Sequence, residues 1–202
     1  MTDDKAKDYK IVLIIGFFIG IMSLMPLWNI GVKFSPIIAV LIVLGCSAFA
    51  VACIFVLKFV ARYAPIFNKF GKFAATGTLN TVLDLSVLNV LMLIGGVASG
   101  WKYAVFKAFS FIVTTTNSYM WNKFWTFKSR VPVSAKEYTR FAAFTFVGMF
   151  VNVSVASVIV NAIGAPSGVS ENAWANVGAI AAVAVSFLCN FLSYNNIVFR
   201  KK

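Results

Sequence analysis

Residues 11–32 read IVLIIGFFIGIMSLMPLWNIGV, an unbroken run without a charged side chain. A helix crossing about 30 Å of hydrocarbon needs roughly 20 mostly apolar residues, so this stretch predicts a membrane span. The next uncharged run, 34–57, predicts a second. Pro26 and Pro36 are expected to flank the short turn between them, with Asn29, Gly31 and Lys33 inside it. Further along, spans fit residues 72–95, which hold one acid, Asp84, and end at Gly95-Gly96, and residues 102–124, which hold Lys107. A fifth runs from 141 to about 163, ended by Gly164, Pro166 and Gly168, and a sixth from about 173 to 197.

Composition agrees. Of 202 residues, 60% are hydrophobic and 12% charged, and mean hydropathy is +0.87. A soluble domain is about 25% charged, and one this apolar would expose large aggregating patches. A soluble enzyme is therefore excluded. The expected fold is an all-α integral membrane protein with six transmembrane helices.

Eighteen Lys and Arg stand against six Asp and Glu, with no histidine. The basic residues punctuate apolar runs instead of lining a polar face, so no nucleic-acid partner is expected. Fifteen of the 18 fall on one side of the expected spans, at Lys5, Lys7, Lys10, Lys58, Arg62, Lys69, Lys72, Lys123, Lys128, Arg130, Lys136, Arg140, Arg200, Lys201 and Lys202, leaving Lys33, Lys102 and Lys107 on the other. Loops rich in Lys and Arg stay cytoplasmic, so both termini are expected there, in a multi-pass protein of the plasma membrane. The first ten residues mix three Asp with three Lys ahead of an apolar run too long for a signal peptide, so the first helix is expected to be retained. No loop is long enough to hold a folded domain.

Two segments repeat. Lys72-Phe73-Ala74-Ala75 resembles Arg140-Phe141-Ala142-Ala143, which sets Asn80 and Asp84 opposite Gly148 and Asn152. Downstream, Asn117, Asn122 and Phe127-Lys128 mirror Asn190, Asn195 and Phe199-Arg200. Each copy is a two-helix hairpin, so the last four helices are expected to form two parallel-repeat hairpins, an arrangement in which transporters place a site between halves.

The basic-Phe start at Lys72-Phe73, followed by Gly77 and Asn80, and the string Asn122-Lys123-Phe124-Trp125-Thr126-Phe127 resemble the GtrA-like family. Related domains are fused to some dolichol-phosphate mannose synthases. The resemblance covers about residues 68–201. The counterpart string, Tyr194-Asn195-Asn196-Ile197-Val198-Phe199, departs from the pattern in lacking a basic residue beside its Asn. The resemblance divides the chain into an N-terminal hairpin and linker, 1–67, and a four-helix domain, 68–202. It implies movement of polyprenyl-phosphate-linked sugars across the membrane for cell-surface polysaccharide synthesis, with that lipid and a membrane glycosyltransferase as partners.

Three groups of residues are candidates for the work. Asp84 sits near the centre of its span, where a charge costs at least ~2.5–3.5 kcal/mol and faces a cavity or a partner. Lys107 lies roughly 6 Å away in depth at the helical rise, so an Asp84–Lys107 pair is expected. A neutral Asp84 bonded to Asn80 is the alternative. The asparagines, Asn80, Asn89, Asn117, Asn122, Asn152, Asn161, Asn176, Asn190 and Asn195, with Thr114-Thr115-Thr116, are either interhelical glue or a groove for a sugar-phosphate headgroup. Lys72, Lys123 and Arg140, at the repeat boundaries of a basic rim with Lys69, Lys128, Arg130 and Arg200, would attract phosphate. Positive-inside topology and anionic lipids account for the same residues.

Substrate binding is accordingly placed on Lys72, Asn80, Asp84, Lys107, Asn117, Asn122, Lys123 and Arg140. With no paired carboxylates, metal-ligand cluster or phosphate-cradling glycine loop, no catalytic residue, metal or cofactor is expected. Two other functions stay open: a membrane anchor recruiting a glycosyltransferase through the loop from Lys128 to Arg140, and a small cation exporter using Asp84. Self-association also stays open. Gly16-x3-Gly20 is a candidate helix-packing motif. The mixed basic and aromatic stretch from Lys58 to Lys72 reads as an interfacial segment or a linker. Trp101, Trp121, Trp125 and Trp174 read as an aromatic belt.

Overall fold

A computed structural model describes residues 2–29, 31–96, 100–169 and 171–199. The side chains of 2–5, 103, 104, 171–173, 175, 176 and 179 lie outside the description, Lys5 and Asn176 among them, as do Arg200, Lys201 and Lys202. The described residues hold helices and no strands: α1 (Thr2–Asn29), α2 (Pro36–Val60), α3 (Ile66–Gly95), α4 (Gly100–Trp121), α5 (Ala135–Ser157) and α6 (Glu171–Ser193). Wider π turns extend α4 over Asn122–Thr126, α5 over Val158–Ile163 and α6 over Tyr194–Val198. The chain divides into two compact units, Met1–Lys128 and Ser129–Lys202.

Five helical stretches are long and apolar enough to cross a membrane: Ala6–Asn29, Pro36–Val60, Ile66–Gly95, Ala135–Ile163 and Ile180–Val198. The sixth helix, α4, is not among them. Its 22 residues reach about 33 Å, but Lys107, Ser110, Thr114, Thr115 and Asn117 dilute its apolar content. Large apolar side chains such as Ile37, Phe49 and Ile94 point outward, as hydrocarbon solvent allows. This is a multi-pass membrane protein.

In the first unit, α1 packs on α2 and α3, and α3 on α4. Val12, Ile15, Ile54, Leu79 and Trp125 form its apolar core. Gly16 and Gly20 make the close approach of α1 to α2: a Cβ on Gly16 would meet the Ser47 Cα at 2.6 Å, and one on Gly20 would meet the Val43 Cα at 2.6 Å. Both clashes are with backbone, so no rotamer change relieves them. Gly20→Val is expected to cost about 1–3 kcal/mol of overpacking, read as a lower unfolding midpoint of the purified protein in detergent. An unchanged midpoint would show that the two helices are free to separate.

The structure corrects two boundaries. Pro26, expected to flank the first turn, lies inside α1, which runs on to Asn29. Proline has no N–H, so the carbonyl four residues back loses its partner, a serious loss in lipid. Here that carbonyl belongs to Met22, and the Ser86 hydroxyl of α3 donates to it at 2.6 Å. The helix therefore continues to Asn29, and the turn is completed by Ser35, whose Oγ accepts from the Ile38 N–H just after Pro36. The stretch from Lys58 to Lys72 is mostly helical and not an extended linker. Only 61–65 separate α2 from α3, which starts at Ile66, six residues earlier than expected.

In the second unit, α5 starts at a Ser134 cap, whose Oγ accepts from the Glu137 N–H, and packs along α6. Phe141 stacks on Tyr194 with centroids 4.3 Å apart. Gly148 makes room for Asn190, whose amide would stand 2.1 Å from an added Cβ. Asn152 donates to the Ser186 hydroxyl at 3.2 Å. Trp174 donates to the Ile159 carbonyl in the π turn that ends α5.

Candidate functional site

Along α3, Lys72, Thr76, Asn80 and Asp84 recur every four residues, so they lie on one slowly rotating face and span about 18 Å at the helical rise. Along α4, Lys107, Ser110, Thr114 and Asn117 share one face by the same spacing rule. The two faces meet. Asn117 donates to Asn80 Oδ1 at 2.8 Å, and the Asn80 amide in turn donates to the Thr76 carbonyl. Deeper along the pair of helices, Lys107 Nζ bonds Asp84 Oδ2, and Ser110 Oγ donates to the Asp84 carbonyl at 2.8 Å and to its Oδ1. The expected Asp84–Lys107 pair is thus present, and Asn80 is bonded to Asn117 instead of Asp84. The Lys107 side chain is 44% exposed, so the pair opens to the surface of the unit instead of being sealed in it.

The near end of this polar seam differs from expectation. Lys72 and Lys123, expected on an open basic rim, are 3% and 0% exposed. Lys72 Nζ lies 2.7 Å from Asp8 Oδ1, Lys58 Nζ lies 3.0 Å from Asp8 Oδ2, and Trp125 Nε1 donates to Asp8 Oδ1 at 3.0 Å. The Lys72 ammonium also sits over the Trp125 ring at 5.6 Å and the Lys58 ammonium over the Tyr9 ring at 4.6 Å. A buried ammonium demands a partner, and α1 delivers one because its helix starts at Thr2, several residues before the apolar run. Trp125 is therefore a buried structural donor, whereas Trp101 is 73% exposed.

Lys123 packs beneath Tyr119, its ammonium 5.7 Å from the ring centre. It stands on the π turn Asn122–Thr126, which closes with the Phe127 N–H donating to the Asn122 carbonyl at 2.9 Å. Asn122 is 1% exposed and donates through Nδ2 to the Ser118 carbonyl. Its Oδ1 and the Thr126 hydroxyl are buried polar atoms with no hydrogen-bond partner among the described residues. The second unit ends α6 in the same way, with Phe199 N–H donating to the Tyr194 carbonyl at 2.9 Å. This register sets Tyr194 in the place of Asn122, and Asn195, one residue later, in the place of Lys123. Arg140 is exposed at the start of α5.

Beside the Asp8 cluster, between α1 and the end of α4, lies a cavity of about 370 Å³ lined by Lys7, Asp8, Trp121, Phe124, Trp125 and Lys128 among others. Asp8, Lys58, Ser110 and this cavity escaped the sequence reading. The only signal for Asp8 was an acid one helical turn ahead of a long apolar run.

The sequence pattern of the family described as GtrA/DPMS, transmembrane domain, matches residues 72–201, more than half of the chain. No curated protein and no solved structure matches it.

Proposed function

The chain belongs to the family of GtrA/DPMS transmembrane domains, and from that premise we propose that it moves polyprenyl-phosphate-linked monosaccharides across the membrane for glycan synthesis at the cell surface. The observation that carries this reading is the polar seam between α3 and α4, which runs from Lys72 through Asn80–Asn117 to Asp84–Lys107 within helices otherwise built for lipid. A lipid-linked sugar needs such a path: its headgroup is too polar for hydrocarbon, while its prenyl tail stays there. In this scheme Asn80, Asp84, Lys107 and Asn117 of the first unit face the headgroup, and the buried Lys72, Asn122 and Lys123 brace the near end of the seam; Arg140, exposed on the second unit, attracts phosphate separately. Passage requires no bond to be made or broken, so no catalytic residue is assigned.

Six spans, two parallel-repeat hairpins after residue 67, and a plasma-membrane orientation with both termini cytoplasmic complete the proposal. They rest on the charge asymmetry and on the shared π turns at Asn122–Thr126 and Tyr194–Val198. Pairing of Asp84 with Lys107 speaks against a cation exporter, since the carboxylate already has a counter-ion. The anchor reading draws on exposed Val131 and Val133 between Arg130 and Lys136, a surface suited to a cytoplasmic glycosyltransferase. Proteoliposomes carrying a short-chain polyprenyl-phosphate sugar decide between them. Translocation predicts that the protein accelerates exposure of the lipid to an impermeant reagent at least tenfold over empty liposomes. No acceleration by a folded protein, together with co-purification of a glycosyltransferase, leaves the anchor.

A further inference from the structure

The polar seam is closed at one end and open at the other. Near its start, Lys72, Thr76 and Lys123 are 3%, 0% and 0% exposed, whereas the Asp84 and Lys107 side chains further along are 24% and 44% exposed. What closes the near end comes from α1, which lies outside the residues that match the family. Asp8 reaches three other elements at once: Lys58 on α2, Lys72 on α3 and Trp125 on the π turn that ends α4. The rest of α1 gives this contact the form of a latch. Its middle is pinned on α2, where Gly16 and Gly20 leave no room beside the Ser47 and Val43 backbone. Its first turns stand off from the end of α4. A cavity of about 370 Å³ lies between them, with Asp8 and Ile11 on one wall and Met120, Trp121 and Phe124 on the other, and the Asp8–Trp125 hydrogen bond of 3.0 Å bridges it. The π turn on the α4 side is a local structure frequent at functional sites. Lys128, just after it, holds φ at +49°, alone among the described non-glycine residues in that region, and such strain collects at switch regions.

We propose that the first turns of α1 gate the near end of the seam, with Asp8 as the latch. The structure is then the state open at the Lys107 end and shut at the Lys72 end. Opening pivots on the Gly16–Gly20 contact and parts Asp8 from Lys72 and Trp125. A buried ammonium without a counter-ion is costly, so Lys72 leaves Asp8 only as water reaches it, and release of the latch is tied to hydration of the seam. The inference rests on the translocation reading for what the gate controls, and it gives the helix outside the family match a task of its own.

The test uses the full chain in nanodiscs, with Cys46, Cys53 and Cys189 replaced by Ala and Thr76→Cys as the reporter, at a position 0% exposed within the seam. A membrane-impermeant thiol reagent should label it slowly. Asp8→Asn, which keeps the shape of the latch and removes its charge, should speed labelling at least tenfold. Leu88→Ala, a core truncation in the far half of the same helix as Thr76, controls for general loosening and should leave the rate within twofold. An Asp8→Asn rate no faster than that of the unaltered latch, or matched by Leu88→Ala, overturns the proposal. A second experiment holds the gate shut. Ile11→Cys and Phe124→Cys stand on opposite walls of the cavity, and a bifunctional thiol reagent joining them should stop transport of a short-chain polyprenyl-phosphoryl hexose in proteoliposomes until a reductant releases it. Transport that continues in the bridged protein overturns the gate and leaves the translocation reading standing. Asp8-dependent labelling of Thr76→Cys in a protein that transports nothing removes the translocation reading and leaves the gate.

Discussion

Asp8→Ala is expected to destabilise the first unit more than any other single substitution, by about 3–5 kcal/mol, the cost of removing one partner from a buried ion pair. The side chains of Lys72 and Lys58 are only 4% and 12% exposed, so the variant strands two ammonium groups and takes the acceptor from Trp125. The unfolding midpoint in detergent reads the loss. The double variant Asp8→Ala/Lys72→Met should recover a large part of it, because an apolar side chain needs no counter-ion. Equal midpoints for Asp8→Ala and the unaltered protein would mean that lipid or water satisfies both lysines.

The largest effect on transport is expected at the other end of the seam. Lys107→Asp sets two carboxylates together in the middle of the α3–α4 pair, and a charge at that depth costs at least ~2.5–3.5 kcal/mol. Transport in proteoliposomes should fall by on the order of a hundredfold, since about 1.4 kcal/mol corresponds to a factor of ten. The swapped pair Asp84→Lys/Lys107→Asp restores opposite charges and should recover most of the rate. A swap as inactive as the single variant would show that Asp84 and Lys107 act as individuals at their own positions. A single variant with full transport would remove the pair from the path altogether.

The contrast between these two ion pairs shows what a sequence makes legible. Asp84 and Lys107 could be matched from sequence because they are the two charges well inside neighbouring spans, and depth along a helix follows directly from residue count. Asp8 could not be matched in this way. It reads as one charge in a mixed polar terminus, and Lys58 and Lys72 read as ordinary topology signals at span ends. The same limit affected Lys123, whose sequence position suggested a surface rim but whose place on a π turn turns it beneath Tyr119. The serine that serves Pro26 was equally hidden, since Ser86 lies 64 residues from the carbonyl it satisfies.

Sequence alone therefore determined the solvent, the helical content, the approximate positions of the helices and the family, because these depend on local composition and on the obligation of a backbone in lipid to bond within its own helix. The Gly16-x3-Gly20 spacing also announced a close helix contact. Tertiary structure decided which polar groups meet: Asp8 with Lys58, Lys72 and Trp125, Ser86 with Met22, Ser110 with Asp84. It also decided that Lys7 and Lys128 share a cavity. Those meetings depend on the rotation and crossing of packed helices, where a turn of one helix carries a side chain from lipid to partner, and residue spacing within any single helix leaves that rotation undetermined.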